Sequence, residues 1–359
     1  MSIAIVHDYL TQLGGAERVV LAMHRAFPDA AIYTSLYEPD ATFPEFAECD
    51  ITTSALQRFS SFRRYHRAAF PFLAPAFSRM RVTADIAICS SSGWAHGSRV
   101  SGRKIVLCHT PARWLYQPEQ YLRGRGVGAR LASASLRRPL LKWDQRAAQS
   151  VDRYLAVSTA VRDRIAAAYG IEAEVLHSPH AAHPGAHRTR PEGVADEFDL
   201  CVSRLLPYKN VDAIIQAYST MPSLNLVVVG SGPDEARLKS LAGPSTRFLS
   251  EVPDEQLWWL YGNCRLLVAA SYEDFGLTPL EAAAFGKPSV ALRWGGFLDS
   301  VIEGETGIFF DVPDPHEIRA AVTEAGNQRW NEDSLRNQAE LFSEEAFAAR
   351  LNAIVNEMR

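Results

Sequence analysis

Short apolar runs alternate along this chain with amphipathic stretches, in the order typical of an α/β protein with parallel sheets. Val19, Val20, Met23 and Phe27 recur at helical spacing and predict a helix over residues 16–27. In the first half, apolar runs predict six strands, at residues 3–6, 32–36, 86–89, 105–108, 154–157 and 175–176. Runs without polar alternation indicate strands that are buried on both faces, as in a sheet covered by helices.

The second half of the chain repeats this rhythm. Its apolar runs predict strands at residues 199–203, 226–229, 247–252, 266–270, 289–292 and 307–311, and three helical stretches follow. Between the halves, residues 180–193 contain three His and no periodicity, which predicts a linker. A length of 359 residues suits two α/β domains. We therefore predict domains over residues 1–185 and 186–342, and a final helical segment over 343–359.

The composition indicates a globular protein, with 47% apolar and 22% charged residues. No apolar run has the length of a membrane span, and the first residues lack the basic region of a signal peptide. The five cysteines are scattered without metal-ligand spacing and predict reduced core thiols in a cytoplasmic protein. Charge is uneven, since residues 1–190 carry a net charge of +9 and residues 191–359 carry −13. The basic half is expected to meet an anionic partner or surface.

Arginines and aromatic residues are interleaved over residues 58–81. This pattern suits the anionic cytoplasmic face of the inner membrane, or an acceptor that carries a lipid phosphate. The alternative is a partly buried pair of surface helices that pack their aromatic rings inward. No nucleic-acid-binding motif accompanies the stretch, so we predict no nucleic acid partner. A second basic stretch over residues 123–146 contains Gly124, Gly126 and Gly128, which predict a loop before a helix.

The densest candidate chemistry lies in residues 273–281, which read EDFGLTPLE after an apolar run. Thr278 is predicted to cap a helix, with Pro279 at the first helical position and Glu281 completing a capping box. The loop and helix start would offer backbone N–H groups to an anion at the carboxyl end of a strand. Glu273 and Glu281 would repel a phosphate, so they should meet hydroxyl groups instead. Phosphate and hydroxyls together indicate a nucleotide-sugar, unless Glu281 only caps its helix and Glu273 is a solvated loop residue.

Other candidates also follow predicted strands. Arg204 and Lys209 place two cations on one strand-to-helix loop, as a diphosphate requires. The strand at 247–252 could contact a nucleotide base through its backbone, at Val252. His109 ends a strand two residues before Pro111 and is expected to project into a ligand crevice.

Gly14 and Gly15 occupy the first strand-to-helix turn, where a backbone can approach a ligand closely. Glu17 follows as an ordinary residue of the first helical turn. The fingerprint G-x-G-x-x-G is absent from this turn, which argues against NAD.

Five motifs in order, GGAE, SRLLPYK, VVGSGP, EDFGLTPLEAAAFGKP and EGETGIFF, resemble those of the retaining glycosyltransferases of family four. The resemblance covers nearly the whole chain. It implies a GT-B architecture, in which two Rossmann-like domains face each other across a cleft and the last helix crosses back to the first domain. The N-terminal domain would bind the acceptor and the C-terminal domain the nucleotide-sugar. VHDYL and CHTPARWLY are similar to a bacterial branch that builds polysaccharides, often from GDP-mannose.

The resemblance also implies residue roles. Arg204 and Lys209 would hold the donor diphosphate, Glu281 the ribose hydroxyls and Glu273 the sugar hydroxyls near the anomeric carbon. The backbone of Phe275, Gly276 and Leu277 would lie against sugar and phosphate, beside the helix start at Thr278. Gly15 would approach the diphosphate from the other domain, and His109 matches a histidine near the sugar. After Gly296 this chain departs from the family pattern, with Asp-Ser-Val in place of Glu-Thr-Val.

The implied reaction is transfer of a hexose with retention of configuration, without a metal, to a saccharide or a polyprenyl-diphosphate-linked acceptor. The chain lacks the D-x-D metal clamp of the other main glycosyltransferase architecture. Alternatives are a transferase that uses a UDP-sugar, a nucleotide-sugar epimerase of the same fold, and a sensor that binds the donor without transfer. The sequence does not fix the base, the sugar, the acceptor or the oligomeric state.

Overall fold

A computed structural model describes residues 1–117 and 127–359 of the chain. These residues form two compact units. The first contains Met1–Ser178 and Phe347–Arg359, and the second contains Pro179–Ala346. Gly124 and Gly126 of the predicted basic loop lie outside the described residues.

The first unit contains a seven-stranded parallel sheet with the order β3-β2-β1-β5-β7-β8-β9 and a two-stranded ladder of β4 and β6. The strands are β1 (Ile3–His7), β2 (Ala31–Thr34), β3 (Ile51–Thr53), β4 (Arg81–Val82), β5 (Ile86–Ser91), β6 (Arg99–Val100), β7 (Arg103–Cys108), β8 (Arg153–Ala156) and β9 (Glu174–Val175). The six strands predicted from apolar runs are all present, within about two residues at each end. The additional strands have two or three residues each, which is too short for a pattern of hydrophobic positions to reveal.

The α-helices of the first unit alternate with its strands along the chain. They are α1 (Gly15–Ala26), α2 (Ser60–Arg64), α3 (Phe70–Arg79), α4 (Arg113–Tyr116), α5 (Val127–Ala148) and α6 (Thr159–Tyr169). The amphipathic stretch that predicted the first helix buries Val19, Val20 and Met23 in α1. Every residue of β5 is buried, as expected for a strand covered on both faces.

The second unit contains a six-stranded parallel sheet with the order β12-β11-β10-β13-β14-β15. Its strands are β10 (Asp199–Val202), β11 (Leu226–Val229), β12 (Thr246–Leu249), β13 (Leu267–Ala269), β14 (Ser289–Leu292) and β15 (Gly307–Phe310). Its helices are α7 (Val211–Ser219), α8 (Glu235–Leu241), α9 (Asp254–Asn263), α10 (Thr278–Ala284), α11 (Phe297–Ser300), α12 (Pro315–Asn327) and α13 (Glu332–Glu340). The last helix, α14 (Glu344–Glu357), begins in this unit, and from Phe347 onward it belongs to the first unit.

In both sheets the strand order reverses direction once. The reversal falls between β1 and β5 in the first unit and between β10 and β13 in the second. Loops that leave two adjacent parallel strands in opposite directions open a crevice at their carboxyl ends, and ligands of such sheets bind there. A ligand site is therefore expected at the loops after these four strands.

The predicted linker packs more closely than its composition suggested. His180 donates its backbone N–H to Phe342 at 3.0 Å, and its Nε2 lies 3.1 Å from the carbonyl oxygen of Ala339. Ala182 is buried in the core of the second unit. Residues 180–193 thus begin as part of the second unit, because backbone hydrogen bonds can fix a segment that has no hydrophobic periodicity.

Candidate active site

Lys209 and Glu273 meet at the strand-order reversal of the second unit. The Lys209 ammonium donates to Oε1 of Glu273, and the Ser271 hydroxyl donates to the same oxygen at 2.9 Å. The Lys209 side chain is almost fully buried, whereas about a quarter of the Glu273 side chain is exposed. The structure therefore brings together a cation and a carboxylate that the sequence placed on different loops.

Asn210 fixes the loop that carries the lysine. It adopts a left-handed conformation with φ of +53°, which asparagine tolerates better than most residues. Its side-chain amide donates to the carbonyl oxygen of Ala270 at 2.8 Å, at the end of β13. This bond ties the loop after β10 to the loop after β13, which holds Lys209 beside Glu273.

Arg204 lies on the same loop as Lys209 and is exposed. Its Nη2 atom is 3.4 Å from the hydroxyl oxygen of Tyr208, and the Lys209 ammonium lies 5.2 Å from the centre of the Tyr208 ring. One tyrosine is thus flanked by both predicted diphosphate-binding cations. Tyr208 was missed from the sequence, although its place between the two cations was visible.

The loop from Glu273 to Leu277 is held by close backbone packing. Gly276 has φ of +85°, and a Cβ atom there would lie 2.4 Å from the Phe297 ring. Gly295 has φ of +59°, and a Cβ atom would lie 2.2 Å from the carbonyl oxygen of Glu273. Phe275 is buried and its ring lies 5.9 Å from the ring of Phe342. Larger residues at these glycines would displace the loop that carries Glu273.

The predicted capping box at Thr278 is wrong. Helix α10 begins at Thr278 itself, and its N-cap is Leu277, which already has helical backbone angles and makes no side-chain cap bond. The Glu281 carboxylate instead accepts a hydrogen bond from the buried Tyr261 hydroxyl at 2.5 Å. Burial and this carboxylate raise the pKa of Tyr261 well above its usual value, so its hydroxyl keeps its proton and donates.

The predicted strand over residues 247–252 is shorter in the structure. Strand β12 ends at Leu249, and Val252 lies in the loop before α9, packed against the core of the second unit. The sequence continued the strand because Val252 is apolar, but Pro253, the N-cap of α9, follows directly. A backbone contact from Val252 to a nucleotide base remains a prediction.

The first unit places four polar side chains in a line at its own strand-order reversal. Ser90, at the end of β5, has its Oγ 2.8 Å from Nε2 of His109, which follows β7. The same Oγ lies 3.0 Å from Nδ1 of His7, at the end of β1. Nε2 of His7 is 3.6 Å from Oε1 of Glu17 in the first turn of α1. These contacts join three strands and a helix.

Burial and charge act in opposite directions along this line. Burial lowers the pKa of His7, but the Glu17 carboxylate raises that pKa more, to above the usual 6.5. Burial raises the pKa of Glu17, but His7 and Gln12 lower it to below 4.5. Burial and the neighbouring His7 lower the pKa of His109 to about 3. These shifts favour positive charge on His7 over His109, and they leave His109 neutral near pH 7.

Glu17 has a different environment from the one expected. It is in the first turn of α1 as predicted, but only 1% of it is exposed. A Cβ atom on Gly14 would lie 2.4 Å from Oε2 of Glu17, so the small residue before Gly15 leaves room for this carboxylate. The partner of Glu17 could not be predicted from the sequence, because His7 belongs to another element.

Asp8 and His7 could have been suspected, since two polar residues follow a buried strand. Asp8 is buried and accepts hydrogen bonds from the backbone N–H groups of Ser92, Trp94 and Ala95. It thereby holds the loop after β5. His7 is the member of the pair that faces the site.

The predicted site residues thus fall into separate groups. Lys209 and Glu273 touch, Arg204 joins them through Tyr208, and Phe275, Gly276, Leu277 and Thr278 follow Glu273 on the same loop and helix start. Glu281 pairs with Tyr261 in the same unit. Gly15, which begins α1, and His109 belong to the first unit. Their predicted contacts with a donor remain predictions.

Over residues 1–117 and 127–359, no group of three or more His, Cys, Asp or Glu side chains is arranged to hold a metal ion. Over the same residues, no helix has the length and apolar character needed to cross a bilayer.

Two family models match the chain and follow its two units closely. Residues 13–179 match the model described as Glycosyltransferase Family 4, and residues 188–342 match the model Glycosyl transferases group 1. Together with the two parallel sheets, these matches define the class: the chain belongs to family four of the glycosyltransferases and has the GT-B fold.

Relatives of known description are also glycosyltransferases. The chain is 32% identical over 181 residues to a D-inositol 3-phosphate glycosyltransferase of Corynebacterium glutamicum, covering 44% of this chain and 42% of that protein. It is 30% identical over 234 residues to a GDP-mannose-dependent alpha-(1-6)-phosphatidylinositol monomannoside mannosyltransferase of Mycolicibacterium smegmatis, covering 55% of this chain and 61% of that protein. The chain spans about half the length of the curated relatives it matches.

Among solved structures, the chain is similar to an apo lipopolysaccharide outer core galactosyltransferase. The TM-score is 0.68 at 17% identity, and the alignment covers 100% of both chains. At this identity the likeness concerns the fold.

Proposed function

We propose that this protein transfers a hexose from a nucleotide-sugar to a saccharide or lipid-linked acceptor, with retention of configuration and without a metal. We favour GDP-mannose as the donor, because one relative is named as GDP-mannose-dependent. The observation that carries the proposal is the contact of Lys209 with Glu273 at the strand-order reversal of the second unit. It joins a fixed cation to a fixed carboxylate where sheets of this type bind ligands.

The cations would act on the leaving group. When the bond between sugar and diphosphate breaks, negative charge develops on the departing phosphate. Lys209 is held by its buried surroundings, and Arg204 is exposed beside Tyr208, so both can face this charge. A preorganised cation stabilises developing charge without reorganising during the reaction. This supplies the electrostatic contribution that a metal supplies in other transferases.

Glu273 would orient the sugar. Its Oε1 accepts hydrogen bonds from Lys209 and Ser271, which would hold the carboxylate in place to bind sugar hydroxyls. Glu281, positioned by Tyr261, would bind the ribose hydroxyls. In a front-face reaction the leaving phosphate takes the acceptor proton, so we assign neither carboxylate as a nucleophile.

The Glu273→Gln variant tests this proposal. We expect transfer to fall by about 10²–10³-fold, the range seen when a group that acts in the transition state is removed. Donor binding, measured by calorimetry with GDP-mannose, should change by less than about tenfold. Glu303→Gln, which removes a surface carboxylate from an ion pair with Arg293, is the control. A transfer rate equal to that of the unaltered protein would refute the role of Glu273.

Donor and reaction class need a separate experiment. A thermal-shift screen over GDP- and UDP-sugars should show the largest stabilisation with the true donor, because a ligand that binds only the folded state stabilises it in proportion to affinity. A larger shift with UDP-sugars would replace GDP-mannose. Formation of a C2 epimer from UDP-GlcNAc alone would indicate an epimerase, and donor binding without transfer or hydrolysis would indicate a sensor. Transfer that persists in EDTA is expected.

The arginine- and aromatic-rich residues 58–81 support a peripheral contact with an anionic lipid surface. Three rings are at least half exposed, with Phe59 at 55%, Tyr65 at 66% and Phe72 at 50%. Phe62 joins two of them, 5.4 Å from Phe59 and 5.6 Å from Phe72. Phe77 is buried and Phe70 packs against Trp94 and Trp114, as the inward-packed alternative expects, whereas the exposed rings do not follow it. Exposed rings among cations suit the interface of a bilayer.

The same segment contacts the first unit's candidate site. His66 stacks on Tyr9 at 4.4 Å, and its Nδ1 lies 3.1 Å from the Thr11 hydroxyl. Tyr9 and Thr11 belong to the loop between β1 and α1, which follows His7. A lipid surface on residues 58–81 would therefore bring a lipid-linked acceptor close to this loop.

Vesicle sedimentation tests the membrane contact. We expect binding to phosphatidylglycerol vesicles, little binding to phosphatidylcholine vesicles, and weakening as salt screens the charges. Arg64→Gln with Arg67→Gln should weaken binding by about 1 kcal/mol per arginine, whereas the control pair Arg319→Gln with Arg329→Gln should not. Equal binding of both variants would contradict a surface at residues 58–81.

A further inference from the structure

The line of four polar side chains in the first unit is nearly closed to solvent. Glu17, His7 and Ser90 are each exposed by 2% or less, and His109 is only partly buried. The separations along the line are 3.6, 3.0 and 2.8 Å from Glu17 to His109. Burying such polar groups costs folding free energy unless they are hydrogen-bonded, which requires each hydrogen to sit on a particular atom.

The backbone carbonyl of Ser90 sets the direction of the hydrogens. It lies 3.2 Å from Nδ1 of His7, and a carbonyl oxygen can only accept. Nδ1 of His7 therefore carries a hydrogen, which faces both the carbonyl and the hydroxyl oxygen of Ser90. The single hydrogen of the Ser90 hydroxyl is then directed at Nε2 of His109. A nitrogen that accepts this hydrogen carries none of its own.

The carboxylate of Glu17 favours a positive charge on the His7 ring. Its Oε1 lies 3.6 Å from Nε2 of His7, so the two side chains form a buried ion pair when the His7 ring is protonated. Two other titratable groups are nearby and are already engaged. Asp8 accepts three backbone hydrogen bonds, and His66 bonds the Thr11 hydroxyl. A second positive charge on His109, next to the charged His7, is disfavoured.

We propose that Glu17, His7 and Ser90 are positioning residues that hold His109 as a neutral ring with its hydrogen on Nδ1. His109 then meets an oxygen of the substrate as a hydrogen-bond donor, and does not act as a base through Nε2. Ser90 transmits the arrangement, because its hydroxyl is the only described link between the two histidine rings. The identity of the receiving oxygen, on the sugar or acceptor, rests on the proposed function.

Nitrogen-15 NMR of the full chain, labelled on histidine, tests the arrangement without any transfer reaction. His109→Gln assigns the signals of His109 by their loss. We expect the hydrogen of His109 on Nδ1 at pH 7, and no protonation of its ring down to pH 5. A hydrogen on Nε2, or protonation of His109 near pH 6, would overturn the proposal.

Ser90→Ala tests the transmission. We expect the His109 ring to lose its single tautomer, and kcat to fall by about tenfold with little change in the donor KM, since one hydrogen bond is removed. Ser92→Ala removes a hydroxyl two residues further along and should change neither. An unchanged His109 tautomer in Ser90→Ala would contradict the proposal, and the spectrum of the unaltered protein remains decisive if this variant does not fold.

The two hypotheses fail separately. Absence of transfer with every donor would refute the proposed function while leaving the tautomer result intact. An active enzyme whose His109 carries its hydrogen on Nε2 would refute only the inference about the relay.

Discussion

Six strands follow the same order in both sheets of this protein, and the residues at their reversal points differ in chemistry. In each, the strand order reverses once, and polar side chains gather at that point, on strand ends, loops and a helix start. The first unit has a buried line of titratable groups, Glu17, His7, Ser90 and His109. The second has a lysine and a carboxylate in direct contact, with an exposed arginine beside them. The fold therefore decides where a site is located, and the loop residues decide what it does.

The two groups of side chains also differ in their exposure to solvent. The line in the first unit is almost closed, so its charges are fixed by neighbours and its pKa values are shifted. In the second unit about a quarter of the Glu273 side chain is exposed, and Arg204 is exposed, so both can contact a ligand. We expect changes in the second unit to act on transfer and changes in the first to act also on stability.

The largest effect is expected for Lys209→Gln. It removes the buried cation proposed to face the leaving phosphate, and kcat should fall by about 10²–10³-fold. Steady-state kinetics with the donor found in the thermal-shift screen measure this. Lys239→Gln is matched, since Lys239 also pairs with a glutamate in the second unit but on the surface. A loss of kcat of similar size in both variants would contradict a specific role of Lys209 in transfer.

Glu17→Gln tests whether changes in the first unit affect stability. It should lower the free energy of unfolding by about 2 kcal/mol, less than the loss of a buried ion pair usually costs, because His7 can release its proton. Both partners are charged between pH 4.5 and 6.5, since the pKa of Glu17 lies below 4.5 and that of His7 above 6.5. The difference from the unaltered protein should be largest in this window.

The pH dependence of this stability difference follows from the two pKa shifts, of His7 and of Glu17. A raised pKa of His7 contributes stability that is lost as pH rises through it, and a lowered pKa of Glu17 contributes stability that is lost as pH falls through it. Urea unfolding at several pH values measures the difference. Glu38→Gln, which breaks a half-exposed pair with Arg63, is the control and should change stability by less than about 1 kcal/mol. A difference that does not vary with pH would contradict the pairing of Glu17 with His7.

The smallest effect is expected for Tyr261→Phe. It removes one hydrogen bond to Glu281, so the donor KM should rise by about fivefold while kcat stays nearly constant. Tyr218→Phe is a close control, because Tyr218 is equally buried and donates to Asp199 at the same distance of 2.5 Å. Asp199 lies at the start of β10, at the other end of the sheet. Equal effects of both variants on KM would show that Glu281 has no role toward the donor.

Much of the second unit's site could be predicted from the sequence. Arg204, Lys209 and Glu273 follow apolar runs, and the carboxyl ends of parallel strands are where ligands bind. The pairing of Lys209 with Glu273 could not be predicted, since 64 positions separate them. The cap at Thr278 was wrong because the backbone of Leu277 already turns into the helix, which local residue preferences do not reveal.

The first unit was harder to predict. Gly15 and His109 were singled out as candidates from their places beside strands, and their roles remain predictions. Ser90 was not singled out, and Glu17 was interpreted as an ordinary helix residue. His7 and Ser90 are 83 positions apart and meet because β1 and β5 are neighbours in the sheet. Their contact depends on the order of strands in the sheet, and the local pattern of residues in the sequence does not reveal that order.

The sequence by itself determined the alternation of strands and helices, the division into two α/β halves and the loops that carry polar residues. It did so because a strand buried on both faces must be apolar, and a polar group must therefore lie at its end. Only the tertiary structure decided which loops are neighbours, and with them the contacts from Lys209 to Glu273 and from His7 to Ser90. Those contacts depend on the order in which strands pair, and that order is fixed by packing of the whole sheet.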